Sequence, residues 1–216
     1  SDAVQDMLAK NRTPIGLRLV AENVAEFAET TTQTQKDPSF ELACKAGCNW
    51  CCYQSVRVTP PEVFRIVEFI RSMPDTDREE LESRLRHLRK LTRGISQKKR
   101  AKLRLACAFL KDGLCSIYSV RPLACAEFTS VNAKDCERGF RKGFHKAHVT
   151  HEMARIMVYK GAERGLLLGL RKALPNADTS VLELTAAVAA ALGSPDSATA
   201  WLEGKPVFKD ARSTSR

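Results

Sequence analysis

The chain has 216 residues, 44% of them hydrophobic, with eight cysteines and a formal net charge of +10. A chain of this length can bury an adequate hydrophobic core without disulfide staples. Residues 1–10 lack the apolar run of a signal peptide, and no stretch approaches the roughly 18 consecutive apolar residues that a membrane span requires. Composition therefore argues against a small disulfide-stapled domain and a membrane-spanning chain. It predicts a cytoplasmic protein whose cysteines are reduced thiols.

Helical periodicity prevails along the chain, so we predict a mainly α protein. The first helix is expected from about Thr13 to Thr34 and is ended by Pro38. Its apolar face consists of Leu17, Val20, Val24 and Phe27. The only β-like run is Val56-Arg57-Val58. It leads into Thr59-Pro60-Pro61-Glu62, whose threonine cap, prolines and following glutamate predict the start of another helix.

The C-terminal part of the chain is also predicted to be helical. Helices are expected over three segments, at about His145–Leu174, Thr179–Leu192 and Asp196–Leu202. Residues 205–216 are predicted to form a disordered tail. The simplest organisation is one helical domain over residues 1–204, with a cysteine-cluster region at 44–136.

The positive charge is concentrated in one segment. Between Arg84 and Arg104 there are ten lysines and arginines and no acidic residue, which equals the net charge of the whole chain. Leu81, Leu85, Leu88 and Leu91 recur at helical spacing, which predicts an amphipathic helix that is interrupted at Gly94 to Ser96. Such a segment can attract nucleic acid or another anionic partner, although no aromatic residues suited to base stacking are interleaved with the charges.

The eight cysteines fall into two short blocks. These are Cys44-Cys48-Cys51-Cys52 and Cys107-Cys115-Cys125-Cys136. The first block places four thiols within nine residues around Gly47, a density that core packing does not require. Thiolates are soft ligands suited to zinc or iron-sulfur clusters, and adjacent Cys51 and Cys52 are awkward partners for disulfides. The blocks therefore predict a metal centre.

Three of these cysteines, Cys44, Cys48 and Cys51, share the spacing of the cluster motif of radical S-adenosylmethionine enzymes. The surrounding sequence argues against that class. Those enzymes alternate strands and helices in a β/α barrel, whereas this chain offers successive helices and no glycine-rich strand end. Cys52 is also surplus to the motif.

The second block has further recognisable features. It reads Cys107-Ala-Phe-Leu-Lys-Asp-Gly-Leu-Cys115-Ser-Ile-Tyr-Ser-Val-Arg-Pro-Leu-Ala-Cys125. The Asp112-Gly113 pair predicts a turn that folds Cys115 back towards Cys107. Together with the first block, this segment resembles the YkgJ-like family of zinc- or iron-chelating proteins (CxxCxxCC, iron-sulfur-cluster-containing), over about Cys44 to Cys136.

The resemblance implies metal ligation by the clustered thiols. The ligands that it implies are Cys44, Cys48, Cys51, Cys52, Cys107, Cys115 and Cys125, with Cys136 as an eighth. A related cysteine region occurs in flagellin lysine methylases. Family members often carry arginine after the equivalent of Cys125, where this chain has Ala126, which puts any role for that arginine in doubt.

Arg121 is a candidate cofactor-binding residue. A guanidinium near clustered thiolates would offset their negative charge and lower their pKa values. The alternative is that Arg121 caps a helix or pairs with an acid such as Glu127. Phe109 and Tyr118 are expected to pack beside the cluster and exclude water from the sulfurs.

Eight thiols permit several metal contents. The alternatives are two four-cysteine zinc sites, one four-iron cluster with supporting thiols, or two iron centres. Zinc sites usually pair two knuckles with two-residue gaps, and the only such gap here lies between Cys48 and Cys51. The spacing therefore favours an iron-sulfur cluster over zinc. A 4Fe-4S centre with ligands from both blocks is one such cluster.

Three histidines recur at every third position, His145, His148 and His151, with Glu152 adjacent. On the predicted helix they drift around the axis, so all three cannot easily converge on one metal. One of them is a candidate ligand, and partly exposed helix positions are the simpler interpretation.

The predicted function is a metal-binding protein that holds an iron-sulfur cluster or zinc for electron transfer, sensing or metal handling. One alternative is a cluster-dependent enzyme that modifies a protein or peptide. Another is a structural zinc module that binds nucleic acid through its basic helix. No Ser-His-Asp order, phosphate loop or nucleotide fingerprint identifies a reaction, so no catalytic residue is predicted.

Overall fold

The computed structural model describes residues 1–35, 39 and 41–212, without the side chains of residues 97, 98 and 145. Within these residues the helices are α1 (Asp2–Lys10), α2 (Pro14–Thr34), α3 (Pro60–Arg71), α4 (Asp75–Thr92), α5 (Gln97–Leu103), α6 (Leu123–Glu127), α7 (Ala133–Lys142), α8 (Met153–Ala173), α9 (Leu184–Leu192) and α10 (Ser197–Leu202). Four two-residue strands form two antiparallel pairs, β1 (Arg57–Val58) with β4 (Leu182–Glu183) and β2 (Leu110–Lys111) with β3 (Leu114–Cys115). The mainly α prediction is confirmed.

Helix α2 matches the first predicted helix. Thr13 is its N-cap, and the Thr13 hydroxyl accepts a hydrogen bond from a backbone amide of the first turn at 3.2 Å. Leu17 and Val20 are fully buried, whereas Phe27 is 63% exposed, so the apolar face is narrower than predicted. Pro38, which was expected to end this helix, lies outside the described residues.

The predicted capping box at the start of α3 is confirmed. Glu62 is buried and accepts hydrogen bonds from the backbone amide and the hydroxyl of Thr59, at 2.8 and 2.7 Å. Its second oxygen accepts a bond from the backbone amide of Leu123 at 2.7 Å. This one carboxylate therefore caps α3 and joins it to the start of α6, the helix that carries Cys125.

The helices share one hydrophobic core. Helix α8 packs against α1, α2 and α6, while α9 packs against α3 and α4. A partly buried polar link joins α2 to α8, because Glu29 pairs with Arg155 at 2.9 Å and accepts a hydrogen bond from the Tyr159 hydroxyl. Arg155 also donates to the carbonyl of Ala126 at 2.8 Å, which ties α6 to the same bundle. These links fix α6 against the bundle.

The long helix predicted from His145 is wrong in its first eight residues, since α8 begins only at Met153. Thr150 and His151 instead form hydrogen bonds with residues between Thr129 and Asp135. The amide of Thr150 donates to the Asp135 carboxylate at 3.1 Å, and the carbonyl of Thr150 accepts a bond from the amide of Val131 at 3.1 Å. These bonds anchor α7, the helix that carries Cys136.

Two other segments differ from the sequence expectation. Residues 179–183, predicted to be helical, are extended, because β4 pairs with β1 before α9 begins. Residues 205–212, predicted to belong to a disordered tail, pack on the domain. Phe208 and Ala211 are buried in the core, and Arg212 forms a bridge with Leu182. Residues 213–216 lie outside the described residues.

The basic segment is divided between two helices. Helix α4 ends at Thr92 and α5 begins at Gln97, so the predicted interruption at Gly94 to Ser96 is confirmed. Leu81, Leu85 and Leu88 are buried as predicted, whereas Leu91 is 42% exposed. Of the helices in the described part of the chain, none has both the length and the apolarity to cross a lipid bilayer.

Candidate metal centre

All eight cysteines line one cavity of about 660 Å³, which we call the cysteine cavity. Its thiols are Cys44, Cys48, Cys51, Cys52, Cys107, Cys115, Cys125 and Cys136. The first block lies on a loop that precedes α3, and the second lies on the β2–β3 hairpin region, α6 and α7. The fold therefore brings together two blocks that are distant in sequence.

The first block is shaped by a tight turn and a 3₁₀ helix. Gly47 has a φ of +84°, a conformation that glycine adopts without strain. The turn closes with a hydrogen bond from the amide of Cys48 to the carbonyl of Lys45 at 2.9 Å. The 3₁₀ helix Trp50–Tyr53 then presents Cys51 and Cys52. Gly47 therefore allows the tight turn between Cys44 and Cys48.

An aromatic stack fastens this 3₁₀ helix to α7. The Phe140 ring lies 5.4 Å from that of Trp50 and 4.7 Å from that of Tyr53, measured between centroids. The Arg104 guanidinium lies over the Phe140 ring at 5.6 Å. Because Phe140 and Cys136 share α7, the stack sets the position of Cys136 relative to the first block. These contacts were not predicted from the sequence.

The loop at residue 130 holds the start of the first block. The amide of Ala43 donates to the carbonyl of Ser130 at 2.9 Å, and the amide of Ser130 donates to the Cys44 sulfur at 3.4 Å. Cys44 is nevertheless the most exposed of the eight cysteines, whereas Cys136 is buried. The cavity thus has thiols at quite different depths.

The second block is tied directly to the first. The amide of Cys107 donates to the carbonyl of Cys52 at 2.7 Å. The Asp112-Gly113 pair has φ values of +50° and +80°, and it connects β2 to β3 so that Leu110 pairs with Cys115. The predicted turn is confirmed, and it returns the chain so that Cys115 and Cys107 line the same cavity.

Burial dominates the acid–base behaviour of these thiols. It raises the pKa of Cys107 to about 12 and that of Cys136 to about 11, and it also raises the pKa values of Cys48, Cys115 and Cys125. For Cys51 the hydrogen bond with Cys52 raises the pKa most, followed by burial. Without a cation in the cavity, these six thiols are therefore neutral at pH 7.

Electrostatic interactions between thiolates place seven of the eight cysteines in two groups; the eighth, Cys52, acts on Cys51. Cys107, Cys115 and Cys51 each raise the pKa of Cys125, and Cys51 also raises that of Cys115. We call these four the inner group. Cys136 is coupled instead to Cys44, Cys48 and Cys51. We call Cys44, Cys48 and Cys136 the outer group; Cys51 is coupled to both groups.

Three thiols also accept hydrogen bonds from the backbone two residues further along the chain. Trp50 donates to Cys48, Phe109 donates to Cys107, and Ile117 donates to Cys115, and each bond lowers the pKa of its thiol. Backbone amides directed at sulfur stabilise thiolates and adjust the properties of a bound metal centre. The loops are therefore shaped to favour thiolate over thiol once a cation is present.

Arg121 lies in the wall of the cysteine cavity. Its positive charge lowers the pKa values of Cys51 and Cys115. The guanidinium is held 4.1 Å above the ring of Tyr118. No ion pair between Arg121 and Glu127 occurs in the described residues, where Glu127 instead lies 3.7 Å from Lys160. The geometry thus favours charge compensation over the Glu127 alternative.

The predicted aromatic shell is present in part. Phe109 lines the cavity and is 1% exposed, so it excludes water from the second block. Tyr118 also lines the cavity, with the Arg121 guanidinium over its ring, but it is 63% exposed.

The described histidines do not line the cysteine cavity. His148 is exposed in the loop before α8, and His151 donates from Nδ1 to the carbonyl of Thr129 and stacks edge-on against Phe128. The side chain of His145 lies outside the described residues. Because residues 147–152 are not helical, the predicted i, i+3, i+6 alignment does not form.

The donor set fits a soft metal ion or a metal-sulfur cluster. The cavity offers thiols, backbone amides directed at sulfur, apolar walls and one compensating arginine. Across the described residues no three His, Cys, Asp or Glu side chains are already arranged as a metal site. The thiols surround a cavity of about 660 Å³, a volume larger than a single ion.

These features define a mainly α, cysteine-rich metal-binding domain in which two cysteine blocks share one cavity. Residues 43–150, half of the chain, match the family CxxCxxCC, described as "putative zinc- or iron-chelating domain". The chain belongs to this family, and the matched range contains all eight cysteines. The family name denotes two residues between the first two cysteines, whereas in this chain three residues separate Cys44 from Cys48. No curated protein and no solved structure matches the chain.

Membership confirms the resemblance at the level of the family, and it assigns metal binding to this domain. The sequence did not reveal which aromatic residues fasten the two blocks, nor which thiols lie deepest. A tryptophan and a tyrosine flanking Cys51-Cys52 were the only available signal for the stack with Phe140.

Proposed function

We propose that the protein binds a four-iron, four-sulfur cluster in the cysteine cavity and uses it for electron transfer or redox sensing. The observation that carries this proposal is that both cysteine blocks line one cavity of about 660 Å³. Two structural zinc sites would each need a closed tetrahedron of four ligands. One shared cavity instead supports a single multinuclear centre. The narrower YkgJ-like assignment within the family is part of the same proposal.

The inner group supplies the cluster ligands in this proposal. Cys125 interacts electrostatically with Cys51, Cys107 and Cys115 across the one cavity that all four line, and four thiolates are the usual complement of a four-iron cluster. The other four predicted ligands, Cys44, Cys48, Cys52 and Cys136, are supporting thiols in the same cavity. The proposal includes a reducing compartment such as the cytoplasm, in which cysteines stay available as metal ligands.

The chain's own residues prepare the cavity for negative charge on sulfur. Arg121 offsets the charge of Cys51 and Cys115, while the amides of Phe109 and Ile117 donate to Cys107 and Cys115. Phe109 keeps water from the buried sulfurs. A bound cluster supplies one-electron chemistry, and the surrounding hydrogen bonds, charge and burial adjust its reduction potential.

Paired cysteine substitutions test the proposal. We compare Cys125→Ser, in the inner group, with Cys44→Ser, in the outer group, after purification without oxygen. Visible absorption, iron and acid-labile sulfide are measured on each variant. Cys125→Ser is expected to lose most of the cluster, and Cys44→Ser is expected to retain it. Circular dichroism of the metal-free variants separates loss of a ligand from loss of the fold.

Two outcomes contradict parts of the proposal. Equal loss of the cluster in both variants would show that the inner group is not the ligand set. A colourless wild-type protein that contains stoichiometric zinc would replace the cluster with zinc sites.

The size of the cavity favours a second candidate, a cluster-dependent enzyme that acts on a peptide. A volume of about 660 Å³ lies within the range of small-molecule sites, and non-thiol residues such as Leu114 and Leu184 line part of it. Electron paramagnetic resonance of the reduced protein, titrated with a lysine-containing peptide, tests this role. A changed cluster signal supports it, and an unchanged signal excludes that class of peptide.

A further inference from the structure

A second cavity lies beside the cysteine cavity and is rich in positive charge. It has a volume of about 670 Å³ and is bounded by the end of α4, the 93–96 turn, α5, the start of α9 and residues 209–212. Five basic and two acidic side chains line it: Arg89, Arg93, Arg100, Lys209 and Arg212, with Glu183 and Asp210. The lining is therefore strongly positive, and we call this space the basic cavity.

The deepest of these cations, Arg100, has an unused hydrogen-bond donor. Arg100 is only 5% exposed, and its Nη2 donates to the carbonyl of Leu105 at 3.2 Å. Its Nη1 is buried and has no hydrogen-bond partner in the described part of the chain. A buried guanidinium without a matching acceptor is unfavourable, so this donor calls for an anionic acceptor from outside the chain.

The acids of the basic cavity do not fill that role. The Glu183 charge acts on Arg100 through space, but no ion pair between the two occurs among the described residues, and the Glu183 carboxylate accepts a hydrogen bond from the amide of Ala186 at 2.9 Å. Among the basic residues of the cavity, Arg212 already has an acidic partner, since it pairs with Asp178 at 2.8 Å. Within the described residues, Arg89, Arg93 and Lys209 form no ion pair, so their charges remain available to a ligand.

The fold also separates these cations from the rest of the basic segment. Arg84 donates to the carbonyl of Leu110 at 3.1 Å, Arg86 lies 3.5 Å from Glu82, and Arg104 donates to a carbonyl at the end of α7. The segment predicted to attract nucleic acid is therefore not one continuous basic face. Its arginines at 89, 93 and 100 converge on a concave site instead, which favours a compact anion over an extended polymer.

From these observations we propose that the basic cavity binds a phosphate-bearing small molecule, with a phosphate group at Arg100. Guanidinium groups suit phosphate because they present paired donors to its oxygens. The volume of about 670 Å³ accommodates a ligand of the size of a nucleotide or a sugar phosphate. Ile95, Ala186 and Ala211 provide an apolar part of the wall for its uncharged portion.

The basic cavity adjoins the cysteine cavity. Ser55 lines both, and the charge of Arg100 lowers the pKa of Cys107. A ligand in the basic cavity would therefore lie close to the metal centre. The binding proposal itself does not depend on the metal, because its donors are residues outside the cysteine cavity.

Isothermal titration calorimetry tests the proposal on the metal-loaded and the metal-free full chain. The probes are inorganic phosphate, ADP, glucose 6-phosphate and a single-stranded oligonucleotide. The variants are Arg100→Gln in the interior and Arg93→Gln at the rim, with Lys90→Gln as the matched control, because Lys90 is exposed on α4 outside the cavity. Thermal unfolding verifies that each variant is folded. If Arg100→Gln does not fold, the rim variant Arg93→Gln still tests the proposal.

We expect the Kd of the tightest small phosphate compound to rise about tenfold or more in Arg100→Gln and a few-fold in Arg93→Gln. Lys90→Gln is expected to leave it unchanged. Tighter binding of ADP or glucose 6-phosphate than of inorganic phosphate supports an organic phosphate, and equal binding supports a site for phosphate itself. The proposal is overturned if no small phosphate compound binds, if Lys90→Gln weakens binding as much as Arg93→Gln, or if only the oligonucleotide binds.

Discussion

Replacement of Phe140 by alanine should weaken both the fold and the metal centre. Phe140 is half-buried, and its ring contacts those of Trp50 and Tyr53 at 5.4 and 4.7 Å. Each aromatic pair contributes about 0.5–1.5 kcal/mol, so the two pairs together contribute about 1–3 kcal/mol. The exposed Arg104 above the ring adds less. We expect Phe140→Ala to lower the free energy of unfolding of the metal-free protein by about 2 kcal/mol.

Urea denaturation followed by circular dichroism measures this change. Phe27→Ala is the matched control, because Phe27 is 63% exposed and forms no aromatic pair in the described residues. The control is expected to change the free energy of unfolding by less than about 0.5 kcal/mol. The stack also holds the 3₁₀ helix with Cys51 against α7, so zinc, used as a metal probe against a competing chelator, should bind more weakly to Phe140→Ala.

Equal unfolding free energies for Phe140→Ala and Phe27→Ala would refute the stabilising role of the stack. A destabilised Phe140→Ala variant with unchanged zinc affinity would show that the stack supports the fold but does not position the thiols.

Further predictions concern acid–base behaviour, a buried carboxylate and a turn. Burial raises the pKa of Cys107 to about 12, so the folded metal-free protein keeps this proton more tightly than the unfolded chain does. Stability should therefore fall as pH rises from about 9 to 12, and Cys107→Ser should reduce that fall in urea titrations. Glu62→Gln replaces a carboxylate that accepts bonds from backbone and hydroxyl donors with an amide group. It should lower the free energy of unfolding, measured by urea titration, by about 1–3 kcal/mol. Glu68 is exposed on the same helix, so Glu68→Gln should lower this free energy by less. Gly113→Ala, at a φ of +80°, should lower the melting temperature and the zinc affinity, whereas an alanine at Gly161, which has open space inside α8, should raise the melting temperature. Stability that does not change with pH would contradict the first prediction. Equal loss of stability in Glu62→Gln and Glu68→Gln, or equal melting temperatures for the Gly113 and Gly161 variants, would contradict the other two.

Local sequence signals predicted much of the fold. The capping box at Thr59 and Glu62, the Asp112-Gly113 turn and the break in the basic segment at Gly94 to Ser96 all depend on residues near one another in the chain. The helix predicted from His145 failed because the competing partners of residues 147–152, such as Asp135, are distant in sequence. Periodicity alone cannot register bonds of that kind.

The candidate site, like the fold, could be predicted only where its signals are local in the sequence. Clustering of the cysteines identified the thiols, and their chemistry indicated a metal, because both features are local. The contacts that bring the blocks together, such as the Phe140 stack and the bond from Cys107 to Cys52, link residues far apart in the chain. The basic cavity was hidden for a related reason, since Lys209 and Glu183 join arginines of the basic segment only in the folded chain.

The central claim is that the cysteine cavity holds an iron-sulfur cluster. Visible absorption of the wild-type protein purified without oxygen, combined with iron, sulfide and zinc analysis of the same sample, tests it most directly. We expect the protein to be brown, to bleach on reduction and to contain about four iron atoms and four acid-labile sulfides per chain. A colourless protein with one or two zinc ions per chain, unchanged when iron and sulfide are supplied for reconstitution, would contradict it.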